Sequence, residues 1–268
     1  MAVPHPGRVP DADAIADAAR RSPLRERALT VHADLDELRY REEIETFPDP
    51  GDSVVHNLEK KELLRKLTDA LQRTGVVPRG VVVEFGAGTA WLSAALARFP
   101  DVERVIAVEF SRRRLVELAP AAIAYLGAPP EKVERVVADF YDPGIDEGTV
   151  DLLVMDAAFH HAADPQLLAD HIAALLRRGG QLLLFREPTL SWFVRDRGTT
   201  VEDEHGDFEH GYTWRGYTGF LERAGLVASK VPATHSYTVL RARVRLHPPL
   251  SWLNGTVFST FTYHGRKP

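Results

Sequence analysis

Four acidic residues, Glu84, Glu109, Asp139 and Asp156, are spaced so that they could work together. Each closes or directly follows an apolar run: Val81-Val82-Val83, Arg104 to Val108, Val133 to Ala138, and Val150 to Met155. Such runs read as strands buried on both faces of a parallel sheet. The acids therefore gather at the strands' C-terminal ends, outside which an open α/β sheet keeps its ligand crevice. Glu84 precedes Gly86 by two residues and Gly88 follows, so a ligand can approach the main chain closely at the glycines. Behind them Thr89 to Phe99 has the composition of a helix, whose free N–H groups face the turn. An acid at Glu84 would repel a pyrophosphate and suit an ammonium group. Glu109, twenty-one residues beyond Gly88, can accept hydrogen bonds from two adjacent ribose hydroxyls, a spacing shared with nicotinamide enzymes. Trp91 occupies the place of the third glycine of a dinucleotide fingerprint, and no Gly-Lys-Ser/Thr follows to make a P-loop.

The pattern E-x-G-x-G-x-A, Glu84 to Ala90, resembles the first motif of the class I S-adenosylmethionine-dependent methyltransferases, with Ala90 in place of the usual third glycine. The resemblance spans roughly residues 60 to 231. It implies an α/β fold with a doubly wound, mostly parallel seven-stranded sheet and S-adenosyl-L-methionine as cofactor. The implied cofactor seat comprises Glu84, Gly86, Ala87, Gly88, Glu109, Phe110, Asp139, Phe140 and Asp156. Within it Asp139 would meet the adenine amino group, and Asp156 the methionine end of the cofactor or the acceptor. A purely loop-capping Asp139 is the alternative, because Asp142-Pro143-Gly144 is a turn. A likeness to the D-P-P-Y/F motif of nucleic-acid amino methyltransferases stops at Asp156 and Phe159.

An imidazole beside a transferred methyl could take a proton from a hydroxyl acceptor, since its pKa lies near working pH. His160, His161 and His210 are the catalytic candidates, with His205 behind them; a loop-packing role is the alternative for the doublet. Glu187, closing the fifth strand, reads either as an acceptor ligand or as a helix-capping acid. Trp192, Phe193, Phe208, Tyr212 and Trp214 could wall a planar substrate or form satellite core beneath a loop. The function expected is methyl transfer to a small-molecule acceptor, oxygen first, then carbon or nitrogen. The competing readings are an NAD(P)-dependent oxidoreductase, which Trp91 and Glu84 oppose, and a non-catalytic cofactor-binding protein.

With 268 residues, 44% of them hydrophobic, the chain can bury a full core. It has no cysteine, so disulfides and thiolate metal sites are excluded and no metal is expected. No stretch approaches the ~20 apolar residues of a membrane span, and a cytoplasmic protein is the expectation. The formal charge is −5, with basic residues dispersed apart from Arg112-Arg113-Arg114, which argues against a nucleic-acid partner. Extra C-terminal strands offer an edge through which two copies could pair.

The elements that must position these groups follow in order. Residues 1–75 read as an N-terminal helical segment or lid, with Asp11 or Asp13 as a first N-cap, a break at Pro23 into two helices, and a third helix from Asn57 to Arg73 ended by Gly75. Tyr40, His56 and Asn57 are candidates there for an acceptor pocket. Residues 76–268 read as the cofactor-binding catalytic domain, with helices at Arg112 to Leu126, at Gln166 to Arg178 with Asp164 as N-cap, and from Thr213 to Ala224 with Gly225 as its stop. Leu226 to Val231 is the sixth strand. Either Tyr237 to Leu246 or Thr256 to Tyr263 supplies the seventh.

Overall fold

The computed structural model describes residues 9–27, 51–52, 54, 58–59, 62–190, 199–202, 208–233 and 261–268, with residues 199–202 and 208–210 described by their backbone alone. It is an α/β protein whose strands are mostly parallel, and its chain divides into two compact units, Met1–Thr68 with Pro78–Asp146 and Asp69–Val77 with Glu147–Pro268.

In the first unit β2 (Gly80–Phe85), β3 (Val102–Glu109) and β4 (Val133–Val137) run parallel, in the order β2-β3-β4. Their apolar side chains are buried almost completely, as expected for strands covered on both faces. α3 (Trp91–Ala97) follows β2, and every residue in it is buried. The helix expected between Arg112 and Leu126 is present with an irregularity. Arg114–Leu118 form a π-helical turn, in which the Ala119 N–H reaches the Arg114 carbonyl, before α4 (Ala119–Leu126) resumes.

At the β4 edge the chain departs from expectation. α1 (Ala12–Arg21) forms with Asp11 as its N-cap, but the three residues after Pro23 are a strand, β1 (Leu24–Glu26), parallel to β4, and the rest of the second expected helix lies outside the described residues. The cause is tertiary. Arg135 is buried, and its guanidinium donates to the carbonyls of Ala19 (2.8 Å), Ser22 (2.7 Å) and Leu115 (2.9 Å) and to Ser22 Oγ (3.0 Å). Its own N–H donates to the Pro23 carbonyl at 2.8 Å. Burial pushes the Arg135 pKa below its ordinary value. β1 is a strand that the sequence reading did not foresee, and it covers the edge that β4 would otherwise leave open in this unit. α2 (Leu63–Thr74) precedes β2 and ends at Gly75 in the left-handed region, φ +70°.

In the second unit β5 (Val150–Asp156) and β6 (Leu176–Phe185) are parallel, while β11 (Phe261–Arg266) lies antiparallel between β6 and β10 (Val227–Pro232). The seventh strand is therefore at the later candidate, described from Phe261 onward; Thr256 to Thr260 and Tyr237 to Leu246 lie outside the described residues. α5 (Pro165–Leu175) begins where expected, with Asp164 Oδ1 accepting from the N–H groups of Gln166 and Leu167. It stops three residues earlier than expected, because Arg177 to Gly180 already belong to β6. At Gly180 a Cβ would come within 2.8 Å of the Arg177 and Val150 carbonyl oxygens, so only glycine fits. The segment after β6 holds three short strands, β7 (Thr189–Leu190), β8 (Thr199–Glu202) and β9 (Phe208–Thr213), in the order β7-β9-β8. Thr213 then caps α6 (Trp214–Arg223), its Oγ1 accepting from the Gly216 N–H.

Of the aromatic residues singled out in this unit, Tyr212 and Trp214 are described with their side chains. Tyr212 packs edge-on against Tyr217 and Phe220, Tyr217 stacks on Tyr263 at 4.7 Å, and Phe159 abuts Tyr217 and Phe220, so Tyr212 belongs to a core cluster. Trp214 lies under the Lys230 ammonium, 4.0 Å from its ring centre. Trp192, Phe193 and the side chain of Phe208 lie outside the described residues.

Candidate functional site

The first unit presents the glycine turn. Gly86, Gly88 and Ala90 all take left-handed backbone conformations, at φ +71°, +52° and +54°. The turn is anchored to β3, whose Val108 carbonyl accepts from the N–H groups of Gly86 and Ala87, each at 3.0 Å. Ala90, at the N-cap of α3, has no side chain to satisfy the helix's first donors. Glu84 takes that role: its Oε2 accepts from the Ser93 N–H at 2.7 Å and from the Ser93 hydroxyl. One oxygen of the acid read as an ammonium partner is thus committed to holding the helix.

Glu109 ends β3 beside the turn. Its Oε2 accepts from the Gly88 N–H at 2.8 Å and its Oε1 from the Ser111 N–H at 3.1 Å. A carboxylate offers about four acceptor sites, so two remain for a diol. Phe110 follows at the strand end. Asp139, just past β4, turns Oδ1 to the N–H groups of Tyr141 (2.8 Å) and Asp142 (3.0 Å), which is the loop-capping geometry. Phe140 stacks on Phe85 with ring centres 5.8 Å apart and planes inclined by 23°. The first unit therefore brings Gly88 and Glu109 into direct contact, and it stacks Phe140 behind the strand that carries Glu84.

In the second unit two acid–base pairs stand at the ends of β5 and β6. Asp156 forms a bidentate pair with Arg186, through Nε–Oδ1 and through Nη2–Oδ2 at 2.7 Å. Arg186 sits immediately after β6 at φ +60°, an unusual conformation for a residue with a side chain. Next to it, Glu187 is fully buried. Its Oε1 accepts from the N–H groups of Ala158 and Phe159, both at 3.0 Å, and its Oε2 from the His160 N–H at 3.2 Å and the imidazole Nδ1–H at 2.8 Å. Glu187 is thus the capping acid of the short 3-10 turn Phe159–His161, and four donors surround it. An ionised carboxylate only accepts, so the His160 proton lies on Nδ1 and its basic lone pair on Nε2. The His161 ring lies 4.0 Å from the His160 ring, centre to centre. His210 pairs through its backbone with Thr200; its side chain, like His205, Tyr40, His56 and Asn57, lies outside the described residues. Among the described residues no group of three potential ligands could hold a metal ion, and no helix is long and apolar enough to cross a membrane.

Sequence reasoning missed Arg186, because nothing local marks a lone arginine as the partner of an acid thirty residues earlier. It also took the sequence to hold no Tyr-x-x-x-Lys pair of the kind that serves a short-chain dehydrogenase, yet Tyr263 and Lys267 have that spacing. Here Tyr263 lies on β11 and Lys267 just beyond it, where four residues of extended chain separate them by about 13 Å. The Tyr263 and Thr189 hydroxyls bond at 2.8 Å, and Lys267 Nζ donates to the Leu176 carbonyl.

Residues 83–184 match the family profile described as a methyltransferase domain. No curated protein matches the chain in sequence. Among solved structures, a chain of the Haloferax volcanii complex that contains the methyltransferase activator Trm112 aligns with a TM-score of 0.62 at 19% identity, over 89% of this chain and all of that one. A geranyl diphosphate methyltransferase, solved with its substrate and sinefungin, gives 0.54 at 17% identity over 81% and 83% of the two chains. The Burkholderia thailandensis 1,6-didemethyltoxoflavin-N1-methyltransferase, solved with that substrate and S-adenosylhomocysteine, gives 0.52 at 17% over 81% and 86%. The fold is the Rossmann-like methyltransferase fold, and the matched residues begin one position before Glu84 and end within β6. The chain carries a methyltransferase domain over residues 83–184. It is an enzyme whose methyl donor is S-adenosylmethionine.

Proposed function

We propose that this enzyme methylates an oxygen of a small-molecule acceptor and that His160, oriented by Glu187, is its general base. The observation that carries the reading is the buried Glu187–His160 pair, which fixes the ring's proton on Nδ1 and so keeps Nε2 basic. Glu109 accepts from the ribose hydroxyls, Asp139 and Phe140 flank the adenine, and the main chain of Gly86, Ala87 and Gly88 lines the cofactor's path. S-adenosylmethionine, when bound, supplies a sulfonium methyl for an in-line displacement. The hydroxyl proton of the acceptor passes to His160 Nε2 as the oxygen–methyl bond forms, and Glu187 stabilises the resulting imidazolium across the 2.8 Å bond. Asp156 is taken up by Arg186 in this reading and acts through it. The enzyme is taken to work in the cytoplasm, with no nucleic acid or membrane as partner; a homodimer paired along β10, the last strand of its sheet among the described residues, fits the same reading.

The test is formation of S-adenosylhomocysteine with a panel of phenols, sugar hydroxyls, amines and carbon acids. Turnover of a hydroxyl acceptor is expected. His160→Ala should lower kcat by about 10²–10⁴-fold while leaving S-adenosylhomocysteine affinity within about twofold of wild type. Turnover confined to amines or carbon acids, or an unimpaired variant, would refute the proposal.

A further inference from the structure

Arg112-Arg113-Arg114 is the one run of three consecutive basic residues in the sequence, and the cofactor seat implied by the resemblance makes no use of it. Two of them have surface roles: Arg112 pairs with Glu26 at 3.0 Å and Arg113 with Glu117 at 3.1 Å. Arg114 goes elsewhere. A Cβ built on Gly88 would meet Arg114 Nη1 at 3.5 Å, so the guanidinium lies against the open face of the same glycine whose N–H is held by Glu109. Two groups of opposite charge therefore converge on one residue of the cofactor turn.

The backbone is shaped to bring this about. Ser111 Oγ accepts from the Arg114 N–H at 3.2 Å, which starts the helix, and the chain then makes its π-helical turn, Arg114–Leu118. A π turn widens the helix by one residue and re-aims the side chains at its start, and such turns collect at functional sites.

We propose that Arg114 is a ribose-reading residue of the cofactor site, donating hydrogen bonds to the diol whose hydroxyls Glu109 accepts. A vicinal diol has two donors and several lone pairs, so an acid alone satisfies only half of it. Glu109 has its remaining acceptor sites for the two O–H donors, and the planar guanidinium offers several N–H groups to the oxygens of the same hydroxyls. Glycine suits this arrangement, because a side chain there would be strained at φ +52° and its Cβ would stand in van der Waals contact with the guanidinium, between the arginine and the turn. The inference rests on S-adenosylmethionine as the cofactor and is independent of the identity of the acceptor and of the role of His160.

The experiment is calorimetric titration of the full chain, wild type and Arg114→Met, with S-adenosylhomocysteine and with its 2′,3′-dideoxyribose analogue. Methionine keeps the length, apolar stem and helix propensity of arginine while removing every donor. The expected result is a loss of about tenfold in affinity for S-adenosylhomocysteine, the size of one charge-assisted hydrogen bond, with the affinity for the dideoxy analogue unchanged by the substitution. Arg114→Lys should recover part of the loss. Equal weakening of both ligands would mean that Arg114 only packs over the loop, and no weakening of either would mean that it does not reach the ribose; both results overturn the proposal. A wild type that binds neither ligand would remove the cofactor assignment and the proposal with it. Thermal denaturation of Arg114→Met within about 2 °C of wild type, as expected for a change confined to a partly exposed side chain, confirms that affinity and not folding is being read.

Discussion

Replacing Glu187 by Gln is the sharpest probe of how the second unit holds its histidine. Gln is nearly isosteric, so it fills the same buried space, and its carbonyl oxygen can keep the two bonds from Ala158 and Phe159. Its NH₂ then faces two donors, the His160 N–H and the imidazole Nδ1–H. Two bonds to an ionised acceptor, worth about 1.5–3 kcal/mol each, are lost. The ring can move its proton to Nε2 and accept from the new NH₂, recovering about 1 kcal/mol, while the His160 N–H stays buried without an acceptor. The net destabilisation expected is about 2–5 kcal/mol, or about 4–20 °C in Tm for a chain of this size. Activity should suffer separately, because the retained tautomer has no basic lone pair on Nε2. The assay is thermal denaturation of wild type, Glu187→Gln, His160→Leu and the double variant, with a coupling energy between the two sites of about 1.5–3 kcal/mol expected. A Glu187→Gln protein melting within about 2 °C of wild type, or a coupling energy below about 0.5 kcal/mol, would show that the carboxylate does not hold the ring.

Two further outcomes follow from the glycine turn and from β11. Ala90 is buried among Ala87, Ala107, Leu115, Ala119 and Val137 in a left-handed conformation. Ala90→Gly relieves about 1–2 kcal/mol of backbone strain and forfeits about 0.8 kcal/mol of buried methyl, so chemical denaturation should find it within about 1 kcal/mol of wild type. Ala90→Val adds both crowding and β-branched strain and should cost more than about 2 kcal/mol; similar stability in the two variants would contradict the turn's geometry. The His264 imidazole, bonded through Nε2 to Gln181 Oε1 at 2.9 Å, has its pKa lowered from the ordinary 6.5 by burial first and by the Arg266 charge second. The unfolded chain therefore takes up a proton there before the folded one does, so this contribution to stability is whole above pH 6.5 and is lost as pH falls through the folded pKa. Denaturation at about pH 7.5 and about pH 5 should show a smaller loss in His264→Gln than in wild type; equal losses would remove His264 from the account.

Features written in local chemistry were legible in the sequence. Asp11, Asp164 and Thr213 cap helices because a short polar side chain before an apolar run can do little else so well, and Gly75 and Gly225 end them at positive φ. The strand-end acids were legible for the same reason, as breaks in apolar runs. Residues defined by distant partners were not. Glu187 read equally well as ligand or cap until the 3-10 turn twenty-seven residues earlier was seen to close over it. Leu24–Glu26 has no strand signature of its own; Arg135 and the open edge of β4 impose one. The π turn at Arg114 is equally invisible to periodicity, since one inserted residue leaves the apolar pattern of Leu115, Leu118 and Ala119 looking helical.

The strand β1 also has a history in time. Ser22 and its anchor Arg135 are 113 residues apart, and β1 leaves the ribosome before β4. At about 5–20 residues per second, the N-terminal segment waits about 6–23 s before its partner strand exists. During synthesis β1 thus docks long after it is made, and the buried guanidinium acts as a late fastener that closes only once β4 has been threaded beside β3. A ribosome-stalled chain ending just before Val133 should therefore leave Ala12 to Glu26 open to protease, and one long enough to expose β4 should protect them.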